Sequence, residues 1–297
     1  MQREAAKSRP MLKSGASIWH SRKRRKQAVR VLAMTLLLAG TVLVLLPLAC
    51  MISTSLKDMS RIFVFPPEWI PDPIMWSNYI NVWKTVPFGV FVGNTAFVTA
   101  VVIIGDLISA SLVAFGFARL RAPGKDALFV LVLATMMLPG YVTIIPVYWM
   151  FSRVRWIDTF YPLTVPSFFG GAFNIFLLRQ FFLTIPRELD DAARIDGCSN
   201  FRIFAQVILP LSKPALTTIG IFSFMWNWND FFGPLIYLNS PENYTIALGL
   251  NFFRGVRGSQ WNLLMAASFL ALLPCIVLFF LAQKYFIQGI ATTGLKG

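Results

Sequence analysis

The sequence predicts an all-α integral membrane protein with six transmembrane helices, and three observations support this fold class. The 297 residues are 56% hydrophobic and only 13% charged, with a mean hydropathy of +0.63, which is too apolar for a soluble globular domain. Six stretches are long and apolar enough to cross a bilayer, which takes about 20 helical residues. Lys and Arg are concentrated in alternate segments between those stretches, as the positive-inside rule expects.

The six predicted spans contain proline and glycine at several positions. Such residues break soluble helices, but inside a membrane the neighbouring helices satisfy the freed backbone groups. Pro47, Gly105, Pro139 and Pro146 are therefore compatible with spanning helices, and no strand is expected. The predicted spans are approximately residues 30–52, 88–114, 127–150, 160–183, 214–237 and 263–286.

The positive residues also predict the orientation. With the N-terminus inside, 20 of the 27 Lys and Arg residues fall in cytoplasmic segments. Both termini and the loop 184–213 are then cytoplasmic. The segments 53–87, 151–159 and 238–262 face outside.

Residues 1–29 form a basic cytoplasmic tail, and residues 30–297 form one six-helix membrane domain. The tail contains the run Arg22-Lys23-Arg24-Arg25-Lys26, and clustered cations of this kind can bind a nucleic-acid backbone. A basic run directly before a first transmembrane helix more often fixes topology and contacts anionic lipid headgroups. No recognition fold accompanies the run, so we expect membrane lipid and no nucleic acid as its partner.

The sequence lacks the residues that several membrane enzymes require. His20, in the basic tail, is the only histidine, so neither a Ser–His dyad nor a His-based zinc site can form within the membrane. Gly124-Lys125 is followed by Asp126, where a phosphate-binding loop needs Ser or Thr. We therefore expect no catalytic, cofactor or metal site in this chain. If nucleotide energy drives the protein, another subunit must hydrolyse the nucleotide.

The polar stretch 188–214, between the fourth and fifth predicted spans, is the most informative segment. Pro186 favours a helix start, because its fixed φ suits the first turn. Negative charge near a helix start interacts favourably with the free N–H groups and the helix dipole. Acidic residues are found there at Glu188, Asp190 and Asp191.

Two short helices are predicted within this stretch. Ala192 and Ala193 give the first helix a small-residue face, and Asp196-Gly197 ends it, since Gly tolerates the left-handed cap conformation. Ser199 or Asn200 caps the second helix, and Leu209-Pro210 turns the chain back to the membrane. The apolar positions of the second helix are Phe201, Phe204 and Val207 or Ile208. Spacing alone leaves two interpretations open, an amphipathic loop packed on its own spans or a helix held by another protein.

This loop resembles the coupling signature of ABC importer permeases, Glu-Ala-Ala, two residues, Asp-Gly-Ala, eight residues, then Ile-x-Leu-Pro. Asp191 stands where the family has Glu, and Cys198 stands where it has Ala. The matching residues are Ala192, Ala193, Asp196, Gly197 and the segment Val207-Ile208-Leu209-Pro210. Asp191 has a shorter reach than Glu, which changes the detail of the contact that the resemblance implies.

The resemblance extends over about residues 55–297 and is greatest to the carbohydrate branch, the second permease of maltose-type importers. Residues 1–29 are not covered by it. The residues that carry it are Asn78-Tyr79, Met137-Leu138-Pro139 with Ile145-Pro146, Phe176 to Gln180, Trp228 to Phe231 with Pro234-Leu235, and the C-terminal Gly289 to Gly297.

The resemblance implies the function of a transmembrane permease subunit in an ATP-driven importer, located in a bacterial-type plasma (inner) membrane. The implied partners are a second homologous permease, two ATPase subunits that bind ATP and Mg²⁺, and an extracytoplasmic solute-binding protein, with a sugar as cargo. Alternating access is the implied mechanism. The residues implied in ATPase coupling are Glu188, Asp191, Ala192, Ala193, Asp196 and Gly197.

Polar residues within the predicted spans are candidates for the substrate path, because polar groups at membrane depth are costly and often functional. Asn227, Asn229 and Asp230 lie in the fifth span beside Trp226 and Trp228, a combination suited to a sugar. The same residues could instead hold helices together or line an outer gate. The other polar candidates are Asn94, Asp106 and Asn174, of which Asp106 is interpreted as structural.

Two further function classes stay open at the level of sequence. A stand-alone ion-coupled transporter would be expected to show internal repeats and buried carboxylates at the midplane, and Asp106 is the only candidate. A membrane enzyme needs convergent catalytic groups, which the single histidine does not favour. Within the importer class, the coupling loop carries information about the ATPase and not about the cargo. Glycerol phosphate, a peptide or an inorganic ion therefore remains open as cargo.

Overall fold

The described part of the protein is built almost entirely of α-helices. The computed structural model describes the backbone of residues 15–255 and 258–293 and the side chains of residues 26–255 and 258–283. The helices are α1 (Gly15–Ser55), α2 (Ser77–Thr85), α3 (Phe88–Arg119), α4 (Lys125–Thr135), α5 (Gly140–Arg153), α6 (Tyr161–Thr164), α7 (Ala172–Thr184), α8 (Glu188–Ile195), α9 (Asn200–Ile203), α10 (Leu209–Leu211), α11 (Lys213–Trp228), α12 (Phe232–Tyr237), α13 (Ile246–Gly249) and α14 (Trp261–Thr293).

Short helical turns and one small β-ladder make up the rest of the regular structure in the residues described. Phe204–Ile208 forms a π-helical turn that joins α9 to α10. The two-residue strands β1 (Arg254–Gly255) and β2 (Gly258–Ser259) pair antiparallel, although no strand was expected from the sequence. The 3₁₀ turns are Met59–Arg61, Val165–Phe169, Pro241–Asn243 and Leu250–Phe253.

The chain divides into two compact units, residues 1–53 and residues 54–297. The described part of the first unit lies in α1, whose stretch Lys26–Ser55 is long and apolar enough to cross a membrane. The second unit contains all the other helices of the described residues. The predicted boundary after residue 29, between a basic tail and the first span, stays a prediction.

Six spans are compatible with the described helices. Four helical stretches satisfy the length and hydropathy of a membrane span, namely Lys26–Ser55, Phe88–Arg119, Tyr161–Thr184 and Trp261–Gln283. Two further pairs satisfy them only when each is counted as one bent span, α4 with α5 at 95° and Asn200–Leu211 with α11 at 77°. The all-α membrane fold predicted from the sequence is therefore confirmed.

The third predicted span is not one continuous helix. α4 ends at Thr135 and α5 begins at Gly140, with Pro139 in an extended conformation at the start of α5. Proline has no N–H to donate, its ring clashes with the carbonyl four residues earlier, and it disfavours helix at the residue before it. These effects end α4 before Pro139, so the sequence-based span 127–150 is wrong in its continuity.

The fourth and fifth predicted spans are also interrupted. In the fourth, Gly170 has φ of +85°, a left-handed conformation that separates the 3₁₀ turn Val165–Phe169 from α7. In the fifth, α11 ends at Trp228 and α12 starts at Phe232. The Asp230 carboxylate accepts hydrogen bonds from the N–H groups of Phe232 and Gly233 at 3.1 and 3.2 Å, which caps the new helix.

α3 is the central helix of the second unit and packs against both α7 and α11. Gly105 lies at a close approach between α3 and the 3₁₀ turn Val165–Phe169, because a Cβ atom there would overlap the Ser167 side chain and press on Phe168. Beside it, the Ser109 hydroxyl lies 2.7 Å from the Gly105 carbonyl and 2.8 Å from the Ser167 carbonyl. The absence of a side chain at Gly105 therefore permits this packing.

Two apolar clusters form the core. The first lies between α3, α4, α7, α11 and the segment Asn200–Ile208, and its fully buried side chains include Leu178, Phe182 and Ile219. The second lies between α2, the start of α3, α13 and α14. Asn78 joins this second region by donating to the carbonyls of Ser55 and Lys57 at 2.9 and 2.8 Å.

Asp158 connects two loops that the sequence places on the outer side. Its carboxylate accepts hydrogen bonds from the backbone N–H groups of Asn239 and Ser240, each at 2.9 Å, and from the Ser240 hydroxyl. Asn243 donates to the Asp158 carbonyl at 2.8 Å. Burial raises the pKa of the Asp158 carboxyl, but these hydrogen bonds outweigh burial and lower the pKa from 3.8 to about 2.

We predict that Gly105→Ala destabilises the protein by about 1–3 kcal/mol, because the new methyl group overpacks α3 against Ser167. Gly116→Ala is the matched control, since Gly116 lies on the same helix and a Cβ there meets no atom within 4 Å. The control should be neutral or slightly stabilising, because Ala favours helix over Gly. Thermal unfolding of both purified variants in detergent measures the difference, and equal stabilities would contradict the close packing at Gly105.

We predict that Asp158→Asn lowers stability by about 1 kcal/mol at neutral pH, because the charge-assisted hydrogen bonds between the loops are lost. The folded pKa of about 2 lies below the ordinary value of 3.8. The stabilisation is therefore complete above about pH 4 and is lost as the pH falls toward 2. Thermal unfolding of wild type and variant across this range should show the gap closing at low pH, and a gap that widens would contradict the assignment.

Candidate coupling helix and polar cavity

The loop between α7 and α11 contains the short helix α8, which starts with acidic residues and ends at a glycine. Glu188, Asp190 and Asp191 lie in its first turn, where negative charge interacts favourably with the helix dipole. Gly197 has φ of +79°, the left-handed conformation expected of it. The end of α8 is a Schellman motif, with the Cys198 N–H bonded to the Ala193 carbonyl at 2.9 Å and the Gly197 N–H bonded to the Arg194 carbonyl at 3.0 Å.

The structure brings the six residues implied in coupling together on α8 and its C-terminal cap. All of them are exposed except Ala193, which is partly buried and packs against the first apolar cluster. The small-residue face predicted from Ala192 and Ala193 is thus divided, with Ala192 outward and Ala193 inward. Ile195, on the last turn, is 88% exposed, so α8 also presents an apolar side chain outward.

A buried ion pair attaches α8 to the rest of the protein. Arg119, the last residue of α3, and Asp190 are 5% and 4% exposed, and their side chains approach to 3.4 Å. The second terminal nitrogen of Arg119 donates to the carbonyls of Phe182 and Ile185, each at 2.7 Å. One guanidinium therefore joins the ends of α3 and α7 to the first turn of α8.

Sequence reasoning treated Asp190 only as one of three acids at a helix start and missed its partner. The sequence separation between Arg119 and Asp190 gives no periodic signal, because a tertiary contact creates the pair. One clue was available within α8. Asp190 precedes the inward-facing Ala193 by three residues, and residues three apart share a helix face.

The segment after α8 packs on the first apolar cluster. The Ser199 hydroxyl accepts a hydrogen bond from the Arg202 N–H at 3.3 Å, so Ser199 and not Asn200 caps α9. Of the apolar positions of the second helix, Phe204 and Ile208 are buried, whereas Phe201 is 70% exposed. The chain turns at Ser212, after α10, and not at the predicted Leu209-Pro210.

The three residues predicted to line a substrate path have different environments. The Asn227 amide donates to the Ser223 carbonyl at 2.8 Å and its side chain lines a cavity beside α3. The Asn229 amide donates to the Met225 carbonyl at 2.8 Å and faces α14 near Cys275. Asp230 caps α12. Among the other polar candidates, the Asn94 amide donates hydrogen bonds to the carbonyls of Glu242 and Tyr244 at 2.8 and 3.0 Å.

A cavity of about 590 Å³ lies between α3, α7 and α11. Its polar lining consists of Asp106, Asn174, Ser223 and Asn227. The Ser223 hydroxyl and the Asp106 carboxylate form a hydrogen bond across the α3–α11 contact. Aromatic side chains complete the lining at Phe173, Phe222 and Trp226. Three helices separated in sequence thus bring polar and aromatic groups to one place.

Apolar spans pack around the central helix α3, a short amphipathic helix is attached at its end, and a polar cavity lies between the spans. This arrangement indicates a transport permease of the ABC importer class. Residues 107–292 match the family described as the binding-protein-dependent transport system inner membrane component. The chain belongs to this family. It is therefore a multi-pass inner membrane permease subunit and not itself an enzyme, and membership does not favour a stand-alone ion-coupled transporter.

Relatives and solved structures agree with this assignment. UgpE, an sn-glycerol-3-phosphate transport system permease protein of Yersinia pestis, is 32% identical over 263 residues, covering 86% of this chain and 93% of UgpE. A crystal structure of a bacterial ABC transporter involved in the import of the acidic polysaccharide alginate contains a similar chain, with a TM-score of 0.80 and 23% identity over 89% of this chain and 98% of that one.

A second crystal structure, of the bacterial alginate ABC transporter in complex with an alginate pentasaccharide-bound periplasmic protein, has a TM-score of 0.62 and 15% identity. It covers 86% of this chain and 94% of that chain. At these identities the two structures establish the fold alone.

We predict that Asp190→Ala destabilises the protein by about 3–5 kcal/mol, because it leaves the Arg119 guanidinium buried without its carboxylate. The matched control is Asp191→Ala, which removes an exposed ion pair with Arg194 of similar separation, 3.5 Å. The control should cost less than about 1 kcal/mol. Thermal unfolding in detergent compares the two variants, and equal losses would contradict the anchoring role of Asp190.

Proposed function

We propose that this chain is one of two homologous permease subunits of an ATP-driven, solute-binding-protein-dependent sugar importer. Two ATPase subunits bind ATP and Mg²⁺ and hydrolyse the ATP, while an extracytoplasmic solute-binding protein delivers the cargo. The membrane domain, residues 30–297, forms the translocation path with the second permease. Both termini are cytoplasmic, and the basic tail, residues 1–29, contacts lipid headgroups and no nucleic acid.

The observation that carries this proposal is the arrangement of α8. Its exposed side presents Glu188, Asp191, Ala192 and Asp196, while Asp190 and Ala193 face inward. A short helix with one face anchored and the opposite face exposed is suited to fill a groove on a partner. We assign that groove to an ATPase subunit, with Gly197 shaping the turn that ends the docked helix.

The mechanism follows from how α8 is attached. Closure of the ATPase pair on ATP displaces α8, and the Arg119–Asp190 pair passes the displacement to the ends of α3 and α7. Because α3 packs against α7 and α11, the same movement changes the spans that enclose the polar cavity. Binding energy at the ATPase site thereby biases an alternating-access equilibrium in the membrane.

Sugar as the cargo class is supported by the composition of the cavity and by the saccharide named for the similar solved transporter. Hydroxyl groups require hydrogen-bond partners, and aromatic rings accept the apolar face of a pyranose. Of the three predicted path residues, Asn227 lines this cavity. The Asn229 amide bonds instead to the Met225 carbonyl, and Asp230 caps α12. We propose Asn227 as the path residue of this set.

The first test is affinity purification of the chain in mild detergent, followed by identification of co-purifying subunits and an ATPase assay. We expect a second permease and an ATPase subunit with measurable activity. A chain that purifies alone and without ATPase activity in near-native lipid would contradict the importer and favour the ion-coupled transporter.

We predict that Ala192→Arg leaves the chain in the membrane but reduces uptake and ATPase stimulation at least tenfold. The exposed position tolerates the larger side chain in the free chain, whereas a docked helix would not. Asp126→Arg is the control, since Asp126 is exposed in another predicted cytoplasmic segment. Unchanged uptake in Ala192→Arg, measured in cells with equal amounts of both variants, would show that α8 does not dock through this face.

A further inference from the structure

We infer that the cavity between α3, α7 and α11 is a cargo-binding half-site on this chain that selects an uncharged saccharide and disfavours an anionic cargo. This inference rests on the proposed importer function and specifies its cargo. The inference is based on the residues that line the cavity, which include Asp106, Asn174, Ser223, Asn227 and Trp226.

Asp106 lies near the middle of a membrane-spanning helix. It is about 27 Å from the start of α3 at Phe88 and about 20 Å from its end at Arg119, at a rise of about 1.5 Å per residue. A carboxylate at this depth is costly and is therefore a functional candidate by default. A carboxylate that only joined helices would be enclosed between them, whereas Asp106 is half-buried and lines the cavity.

The groups around the cavity match the chemistry of a sugar. The Asp106 carboxylate accepts hydrogen bonds from hydroxyl groups, and the amides of Asn174 and Asn227 both donate and accept. Trp226 is 77% exposed and offers an indole face to the apolar side of a sugar ring. The volume of about 590 Å³ lies within the range of about 300–1,000 Å³ for small-molecule sites.

The charge of the cavity lining distinguishes neutral cargo from anionic cargo. Among the described residues that line the cavity there is one carboxylate and no Lys or Arg. A phosphate or uronate group would meet Asp106 in a low-dielectric environment with no cation among the described lining residues to compensate, and like charges repel strongly there. The cavity therefore favours a cargo different from the glycerol phosphate and the acidic alginate named for the similar proteins.

Uptake by cells that express the complete transporter tests this inference. The neutral probes are radiolabelled glucose, maltose and raffinose, and the anionic probes are sn-glycerol 3-phosphate and an alginate trisaccharide. Wild type should take up at least one neutral probe and no anionic probe. Asp106→Asn should raise the KM for the neutral probe about tenfold, because charge-assisted hydrogen bonds are the stronger ones, with the maximal rate within about twofold. It should also admit an anionic probe.

Two further variants complete the design. Asp126→Asn removes an exposed carboxylate outside the cavity and should leave both the KM and the charge selectivity unchanged. Trp226→Ala should raise the KM about fivefold, because it removes the stacking surface. Because the Trp226 side chain is largely exposed, its removal should not prevent folding. Trp226→Ala therefore tests the inference if Asp106→Asn does not reach the membrane.

Three results would overturn the inference while leaving the importer in place. They are uptake of an anionic probe by wild type, uptake of no neutral probe by a complex that retains ATPase activity, and unchanged KM in the cavity variants. A chain that purifies without an ATPase and supports uptake of no probe would instead contradict the proposed function itself.

Discussion

The attachment of α8 to the ends of α3 and α7 depends on the contacts that the Arg119 side chain makes. A guanidinium is planar and carries five N–H donors, so one group can bind two carbonyls and a carboxylate at once. Here it donates to the buried carbonyls of Phe182 and Ile185 and pairs with Asp190. Because all these groups are buried, their positions are strongly coupled. The helix proposed to receive the force of ATP hydrolysis is thus joined directly to the central helix α3.

Backbone hydrogen bonding explains both the regular and the interrupted parts of the membrane domain. Apolar stretches form helices because a membrane offers no water to satisfy N–H and C=O groups. Where a helix ends within a span, polar side chains close to the break bond to backbone groups. Asp230 caps α12 in this way, and Ser109 bonds to the carbonyls of Gly105 and Ser167. The breaks at Pro139 and Gly170 therefore lie within spans without leaving the fold all-α.

The start and end of α8 and the start of α9 were predicted correctly because local chemistry determines them. Acidic residues at the start of α8, the left-handed Gly197 and the capping Ser199 each act within a few residues of the chain. The substrate path was predicted less well, because Asn227, Asn229 and Asp230 are adjacent in sequence but point to different neighbours. Asp106, interpreted from the sequence as structural, lies beside Asn174 and Ser223 only after three helices pack together.

The sequence by itself predicted the class of this protein, the approximate positions of its spans and two short helices in the loop 184–213. Hydropathy, charge distribution and capping are properties of neighbouring residues, so they can be read without a structure. Only the tertiary structure decided that Asp190 pairs with Arg119 and that the Asp106 carboxylate lines a cavity together with aromatic side chains. These features depend on contacts between distant segments, which periodicity and composition do not encode.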